Sequence, residues 1–284
     1  MNKGARSNPE PCPDSGTLII GHRGASAYAP ENTHAAFTQA FDDGADGIEF
    51  DVRLARDGVP VVIHDATLDR TALIAGEVEA LDSAVLMECR VGQWFNHRKF
   101  NRPLARFADE CIPTLSQVFA RYSSDVLYAE LKCEDAARRA ELARVVVEMT
   151  LDYGIADRVV VKSFSLDPLR EVKRLAPEIR TAALFGRSWP RPFVPAAKII
   201  AEAEACGADE ISLHHSLLRS ATVEEARRRG FEVLTWTVNT PAWLRRALAL
   251  KLRAVFTDYP SHLRAEFARQ RALESAARLA RLKG

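Results

Sequence analysis

The sequence predicts an α/β fold of the (β/α)8 type, a TIM barrel with a small inserted cap subdomain. Three observations carry this reading. From Thr17 onward, short β-branched runs alternate with longer helical patterns, as they do in a parallel sheet with crossover helices. Eight such runs remain once a hairpin is set aside, and 284 residues accommodate one barrel of roughly 250 residues with an insertion. The residues with chemical promise also fall at the ends of these runs, where barrels of this type carry their sites.

Taken in order, the expected strands are Thr17–Gly21, Gly47–Leu54, Val59–His64, Val126–Lys132, Arg158–Ser163, Thr181–Phe185, Glu210–Leu213, Glu232–Val238 and Ala254–Thr257. The second and third are separated only by Ala55-Arg56-Asp57-Gly58, and an Asp-Gly turn between apolar runs signals a hairpin. Val59–His64 is therefore an antiparallel return strand outside the barrel count. Expected helices are Asn32–Asp43, Glu134–Tyr153, Asp167–Leu175, Pro195–Cys206, Thr222–Arg229, Pro241–Leu250 and Ser261–Arg281. Asp167-Pro168 and Thr240-Pro241 each place a capping residue before a proline at the first helical position. Leu263 and Phe267 at helical spacing make the Arg- and Ala-rich C-terminus a last barrel helix. Residues 1–16 read as a polar tail and 17–284 as the barrel. The connection at about 66–113 is too long for a plain loop and, with Trp94, Phe95, Phe100 and Phe107, reads as the cap.

Charge and composition exclude several functions. Thirty-nine basic against 38 acidic residues leave a net charge of +1, which argues against a general nucleic-acid coat. Five scattered cysteines without a Cys-x-x-Cys pair argue against a disulfide framework or a structural zinc site and point to a reducing compartment. The polar N-terminal stretch lacks the apolar segment of a signal peptide, and no run reaches the roughly 18 apolar residues of a membrane span. The expectation is a soluble, cytoplasmic protein without nucleic-acid partners; a homo-oligomer is compatible with the sequence.

The most informative segment is Gly47-Ile48-Glu49-Phe50-Asp51-Val52. Side chains alternate across a strand, so Glu49 and Asp51 share one face while Ile48, Phe50 and Val52 turn to the helices. Two neighbouring carboxylates repel each other, and a hard divalent cation, Mg2+ or Ca2+, relieves that repulsion. The alternative is a solvated strand end. Glu130 and Lys132 repeat the spacing, adding a third oxygen ligand and a cation for an anionic substrate, or else only a surface ion pair. His22 and His64 stand at strand ends, where two imidazoles flanking a bond supply an acid and a base, or else serve as structural hydrogen-bonders. Arg23 offers a permanently charged fork for phosphate or carboxylate. With one divalent ion, these three carboxylates and two cations leave one positive charge, which a single phosphodiester neutralises.

Gly21-His22-Arg23-Gly24, Pro30-Glu31-Asn32-Thr33, Glu49-Phe50-Asp51-Val52, the run Asp57 to Asp65 and Thr67-Leu68-Asp69-Arg70-Thr71 together resemble the glycerophosphodiester phosphodiesterase family. Ile112-Pro113-Thr114-Leu115, Glu130-Leu131-Lys132, Ser163-Phe164-Ser165, Trp236-Thr237-Val238-Asn239 and Thr257-Asp258-Tyr259-Pro260 continue the match in order. The resemblance implies hydrolysis of glycerophosphodiesters, as small-molecule substrates, to sn-glycerol 3-phosphate and an alcohol, with one divalent cation, Mg2+ or Ca2+. It implies His22 and His64 as acid and base, Glu49, Asp51 and Glu130 as metal ligands, Arg23 and Lys132 on the phosphate, and Phe164 and Trp236 near the substrate. The chain departs from the family pattern at Ala72-Leu73-Ile74-Ala75-Gly76, in the expected cap, which bears on the alcohol side. Two other readings stay open: a related barrel phospholipase or lyase acting on (lyso)phospholipids, and a non-catalytic barrel that binds phosphodiesters. A glycosidase is excluded because Glu49 and Asp51 are adjacent on one strand and cannot flank a scissile bond.

Overall fold

The computed structural model describes residues 16–100, 106–123, 125–186 and 194–283, so the expected polar tail lies outside it except for Gly16. Nine strands are present among the described residues: β1 Leu18–His22, β2 Gly47–Leu54, β3 Pro60–Val62, β4 Val126–Leu131, β5 Val159–Ser163, β6 Arg180–Phe185, β7 Glu210–His214, β8 Glu232–Trp236 and β9 Ala254–Thr257. Eight run parallel, and β1 pairs with both β2 and β9, which closes the barrel. The ninth, β3, pairs antiparallel with β2 only, with Val52 opposite Val62. The Asp-Gly turn is therefore a hairpin, and Gly58 adopts the left-handed φ of +78° that such a turn requires.

The helices are α1 His34–Asp42, α2 Ser83–Leu86, α3 Gln93–Phe100, α4 Leu115–Tyr122, α5 Ala136–Asp152, α6 Leu166–Leu175, α7 Ala196–Ala205, α8 Ser220–Arg228, α9 Pro241–Ala249 and α10 Pro260–Lys283. Helices α2, α3 and α4 are not among the expected helices, and α6 is capped earlier than expected. Helix α6 starts after Ser165, so Asp167 lies in its first turn and not at its cap. At the start of α4, Thr114 accepts from the backbone N–H of Gln117, whose side chain accepts from the Thr114 N–H in return. This cap starts a short amphipathic helix that buries Leu115, Val118, Phe119 and Tyr122. The C-terminal helix seats Leu263 and Phe267 in the core, as the spacing predicts.

Alternation along the strands divides the apolar residues into two cores. Ile48, Phe50, Val52, Leu127, Ala129, Val161 and their counterparts face outward and pack under the helices. Ile20, Tyr128, Val160, Leu234, Ala254 and Phe256 point inward and fill the lower barrel. A third cluster, including Ile63, Leu68, Val78, Leu86 and Ile112, packs beneath the long connection after β3. Above the inner plug the inward positions turn polar, so the barrel is solid below and chemically active above. Among the described residues, no helix is long and apolar enough to cross a membrane.

Candidate active site

Strand register assembles the upper layer. His22 is level with Glu49, Asp51 with Glu130, and Glu130 with Lys162, so inward side chains of β1, β2, β4 and β5 converge at the C-terminal mouth. Glu49, Asp51 and Glu130 are 0%, 1% and 5% exposed, which removes the solvated-strand alternative. One carboxylate oxygen from each lies within 4.8 Å of the other two. Asp51 Oδ1 and Glu130 Oε1 are both buried and face the Lys132 ammonium, 3.4 and 2.5 Å away. Three buried carboxylates with oxygens converging to within 4.8 Å form the donor set that a hard divalent cation takes, so the residues fit the implied ion.

The other oxygens of this triad are held in place. Glu49 Oε2 accepts from the Arg23 backbone N–H at 3.0 Å, and Glu49 Oε1 accepts from the Lys162 ammonium at 2.9 Å. Asp51 Oδ2 accepts from the Asn32 amide at 2.9 Å, while Asn32 Oδ1 accepts from the Asp51 backbone N–H. Burial opposes ionisation of Asp51, but Arg23 and Lys132 outweigh it and hold the carboxyl well below the usual range. Burial likewise opposes ionisation of Glu49, and Lys162 and His22 bring its pKa down.

The Gly-His-Arg-Gly turn follows from one glycine. Gly24 has φ +80°, and a Cβ there would lie 2.5 Å from the Ala36 carbonyl carbon, so the turn presses directly against α1. Arg23 occupies the left-handed region beside it, at φ 54°. Its guanidinium donates to Glu31 at 2.8 Å, and its Nε lies 3.2 Å from Asp51, so of the two anions expected for this fork it holds carboxylates here. Burial disfavours the charge on Arg23, yet Asp51 and Glu31 more than compensate and raise its pKa.

Each histidine is tied to an aspartate. His22 Nδ1 lies 2.7 Å from Asp258 Oδ1, and His64 Nδ1 lies 2.6 Å from Asp65 Oδ1. Burial works against ionising Asp258, but the His22 hydrogen bond prevails and its pKa is lowered; at Asp65, burial is outweighed first by Arg70 and then by His64. Ionised carboxylates only accept, so both Nδ1 atoms carry the proton and Nε2 is the unpinned nitrogen of each ring. Burial lowers the pKa of His22, while Glu49 and Asp258 raise it, and the net shift is upward.

The nine expected residues all lie at the C-terminal ends of strands or just beyond, but not around one wall. His22, Arg23, Glu31, Trp94, Asp258 and Tyr259 border a cavity of about 420 Å³. Phe164 and Trp236 stand on the β5–β8 side, outside that lining, with ring centroids 5.5 Å apart and the Lys132 ammonium 5.8 Å from the Phe164 ring. Sequence reasoning missed Asp65, Asp258, Glu31, Asn32, Arg70 and Lys162 as parts of the site. The first five lie inside motifs quoted for the family resemblance without a role assigned to them. Lys162 had a signal of its own, an ionisable residue at an inward position of the apolar run Val159-Val160-Val161-Lys162.

The glycerophosphoryl diester phosphodiesterase family profile matches residues 22–262. The chain is 31% identical over 250 residues to a glycerophosphodiester phosphodiesterase of Caldanaerobacter subterraneus subsp. tengcongensis, covering 87% of this chain and 96% of that one. It is 30% identical over 248 residues to a Bacillus subtilis glycerophosphodiester phosphodiesterase, covering 86% and 84%. Among solved structures, an Oleispira antarctica phosphodiesterase in complex with the product sn-glycerol-3-phosphate superposes with TM-score 0.77 at 29% identity, over 88% of this chain and 96% of that one. A glycerophosphodiester phosphodiesterase of Agrobacterium tumefaciens gives 0.73 at 28% identity, over 88% and 99%. The match runs from the histidine that ends β1 to the helix that follows Asp258, and with it the chain belongs to the glycerophosphoryl diester phosphodiesterase family.

Proposed function

We propose that the protein hydrolyses glycerophosphodiesters to sn-glycerol 3-phosphate and an alcohol, with one divalent cation, Mg2+ or Ca2+, held by Glu49, Asp51 and Glu130. The observation that carries this is the convergence of a buried carboxylate triad and two aspartate-oriented histidines at one barrel mouth. When bound, the ion supplies electrostatic stabilisation of the charge that develops on the phosphoryl oxygens. His22 and His64 present Nε2 to the site, one to take the proton of the nucleophile and the other to protonate the departing alkoxide. Lys132, at the mouth between the triad and Phe164, reaches the phosphate, and Arg23 supports it from the opposite side. Phe164 and Trp236 offer an apolar wall to the glycerol carbons.

The connection at about 66–113 is the cap in this reading. Its Trp94 and Phe95 border the cavity beside His22 and are 8% and 2% exposed, turned inward and not outward as a lipid-facing rim requires.

The test is turnover of glycerophosphocholine, glycerophosphoethanolamine and lysophosphatidylcholine after chelation and re-addition of Mg2+ or Ca2+. The expected result is release of sn-glycerol 3-phosphate from the first two, lost on chelation and restored by the ion. His22→Ala and His64→Ala each lose about 10²- to 10⁴-fold in kcat while still binding the ion. Near-native turnover in either variant, or diester binding without product release, overturns the assignment.

A further inference from the structure

Lys162 is the one buried cation of the site that the mechanism above leaves without work. It stands on β5, opposite Glu130 in register, and is 2% exposed. Its ammonium lies 2.9 Å from Glu49 Oε1 and 3.6 Å from Glu130 Oε2, so it touches two of the three carboxylates assigned to the ion. From below, the Phe256 ring holds it, with the centroid 4.3 Å from Nζ. Tyr128 in turn packs edge-on against Phe256 at 5.0 Å, so the floor under the lysine is the barrel's own plug. Lys132 differs: it is 16% exposed at the mouth and has room to swing toward a ligand. Lys162 has no such room and remains beside the carboxylates whatever occupies the site.

We propose that Lys162 is a resident counter-ion of the acidic triad, a positioning residue that holds Glu49 and Glu130 in place before the divalent ion arrives and weakens the ion's binding once it is there. The charge count changes accordingly. Lys162 adds one positive charge, which the sequence reading did not count, beside the carboxylates. Two cations a few ångströms apart in a buried pocket repel far more strongly than in water. The carboxylates are therefore shared between a fixed ammonium and an exchangeable ion, so the ion binds less tightly than an unshared triad would hold it.

This inference rests on the triad being the ion site, and its test is made without substrate. Calorimetric titration of the metal-free protein with Mg2+ and Ca2+ is compared for wild type, Lys162→Met and Lys162→Arg, together with the thermal midpoint with and without ion. Lys162→Met is expected to bind the ion at least tenfold more tightly, to melt lower without ion, and to recover a larger share of its midpoint when ion is added. Lys162→Arg, which keeps the charge, is expected to bind within about threefold of wild type. A purely structural lysine would lower the midpoint without tightening ion binding. Equal or weaker binding in Lys162→Met overturns the proposal, as does a wild-type protein that binds neither ion. Should Lys162→Met not fold without ion, Lys162→Gln prepared in saturating Mg2+ and assayed by competition with a chelator carries the same expectation. Tight binding in Lys162→Met with no hydrolysis by wild type would overturn the enzymatic reading alone. Unchanged binding with intact hydrolysis would overturn the role of Lys162 alone.

Discussion

Asp258 Oδ1 lies 2.7 Å from His22 Nδ1, so the residue after the last barrel strand orients the side chain that ends the first. Asp258 is itself held by Asn239 at 2.6 Å and by Ser26 at 3.0 Å, which leaves the imidazole little freedom. Asp258→Asn keeps the shape but removes the charge that fixes the Nδ1 proton. Its kcat is expected to fall about 10²-fold with KM within a few-fold of wild type, as for a group that serves proton transfer and not binding. Steady-state kinetics on glycerophosphocholine check this, and an unchanged kcat would show that the His22 ring is oriented by other contacts.

Arg70 joins three parts of the mouth. It donates to Glu31 at 2.7 and 2.8 Å and to Asp65 at 2.5 Å, and its guanidinium lies 5.3 Å from the Trp94 ring centroid. Arg70→Ala therefore releases the carboxylate behind His64, the carboxylate behind Arg23 and an aromatic of the expected cap at once. About a tenfold fall in kcat/KM is expected with a small change in midpoint, because half-exposed ion pairs contribute only ~0–1 kcal/mol to stability. A large loss of midpoint with kinetics unchanged would mean that Arg70 holds the fold and not the site.

Gly24 combines two requirements, a φ of +80° and a position where a Cβ would meet Ala36 backbone at 2.5 Å. Gly24→Ala meets both penalties together and is expected to cost about 2 kcal/mol or more in unfolding free energy. Denaturant unfolding measures it. A wild-type midpoint would show that the turn after β1 can lift off α1 without loss.

Glu210, at the opposite end of the barrel from the mouth, gives a pH signature. It is buried beneath Arg180, with Oε2 unpartnered, and burial raises its pKa against the pull of the Arg180 hydrogen bond. As pH rises past the ordinary glutamate value of 4.5, the unfolded chain loses this proton while the folded protein keeps it. The unfolded state then binds fewer protons, so the Glu210 contribution to stability falls with rising pH until the folded carboxyl also ionises. Glu210→Gln removes that slope. The midpoint of the variant relative to wild type is expected to be higher at pH 7 than at pH 4. The reverse ordering would mean that the ion pair with Arg180 outweighs the cost of burial.

The barrel was legible because its signals are local. Alternation places Ile48, Phe50 and Val52 against the helices and Glu49 and Asp51 inside, and an Asp-Gly turn identifies β3 as the strand outside the barrel count. Helix α4 escaped notice because it is only eight residues long and follows directly on the irregular connection. Thr114 falls inside the motif Ile112-Pro113-Thr114-Leu115, while its capping partner Gln117 lies two residues beyond it. The N-cap of α6 was misplaced because Asp-Pro suits the first helical turn as well as its start.

The sequence by itself determined the fold class, the family resemblance and the three carboxylates, since residue type and strand periodicity suffice for each. Tertiary structure decided what those residues face. Asp258 meets His22 across 236 positions of chain, and Lys162 meets Glu49 across 113, because closing the barrel and setting its register bring distant strands level. No local pattern encodes such a meeting. Alternation places Lys162 on the inward face of its strand, but only the closed sheet decides that the groups it meets there are Glu49 and Glu130.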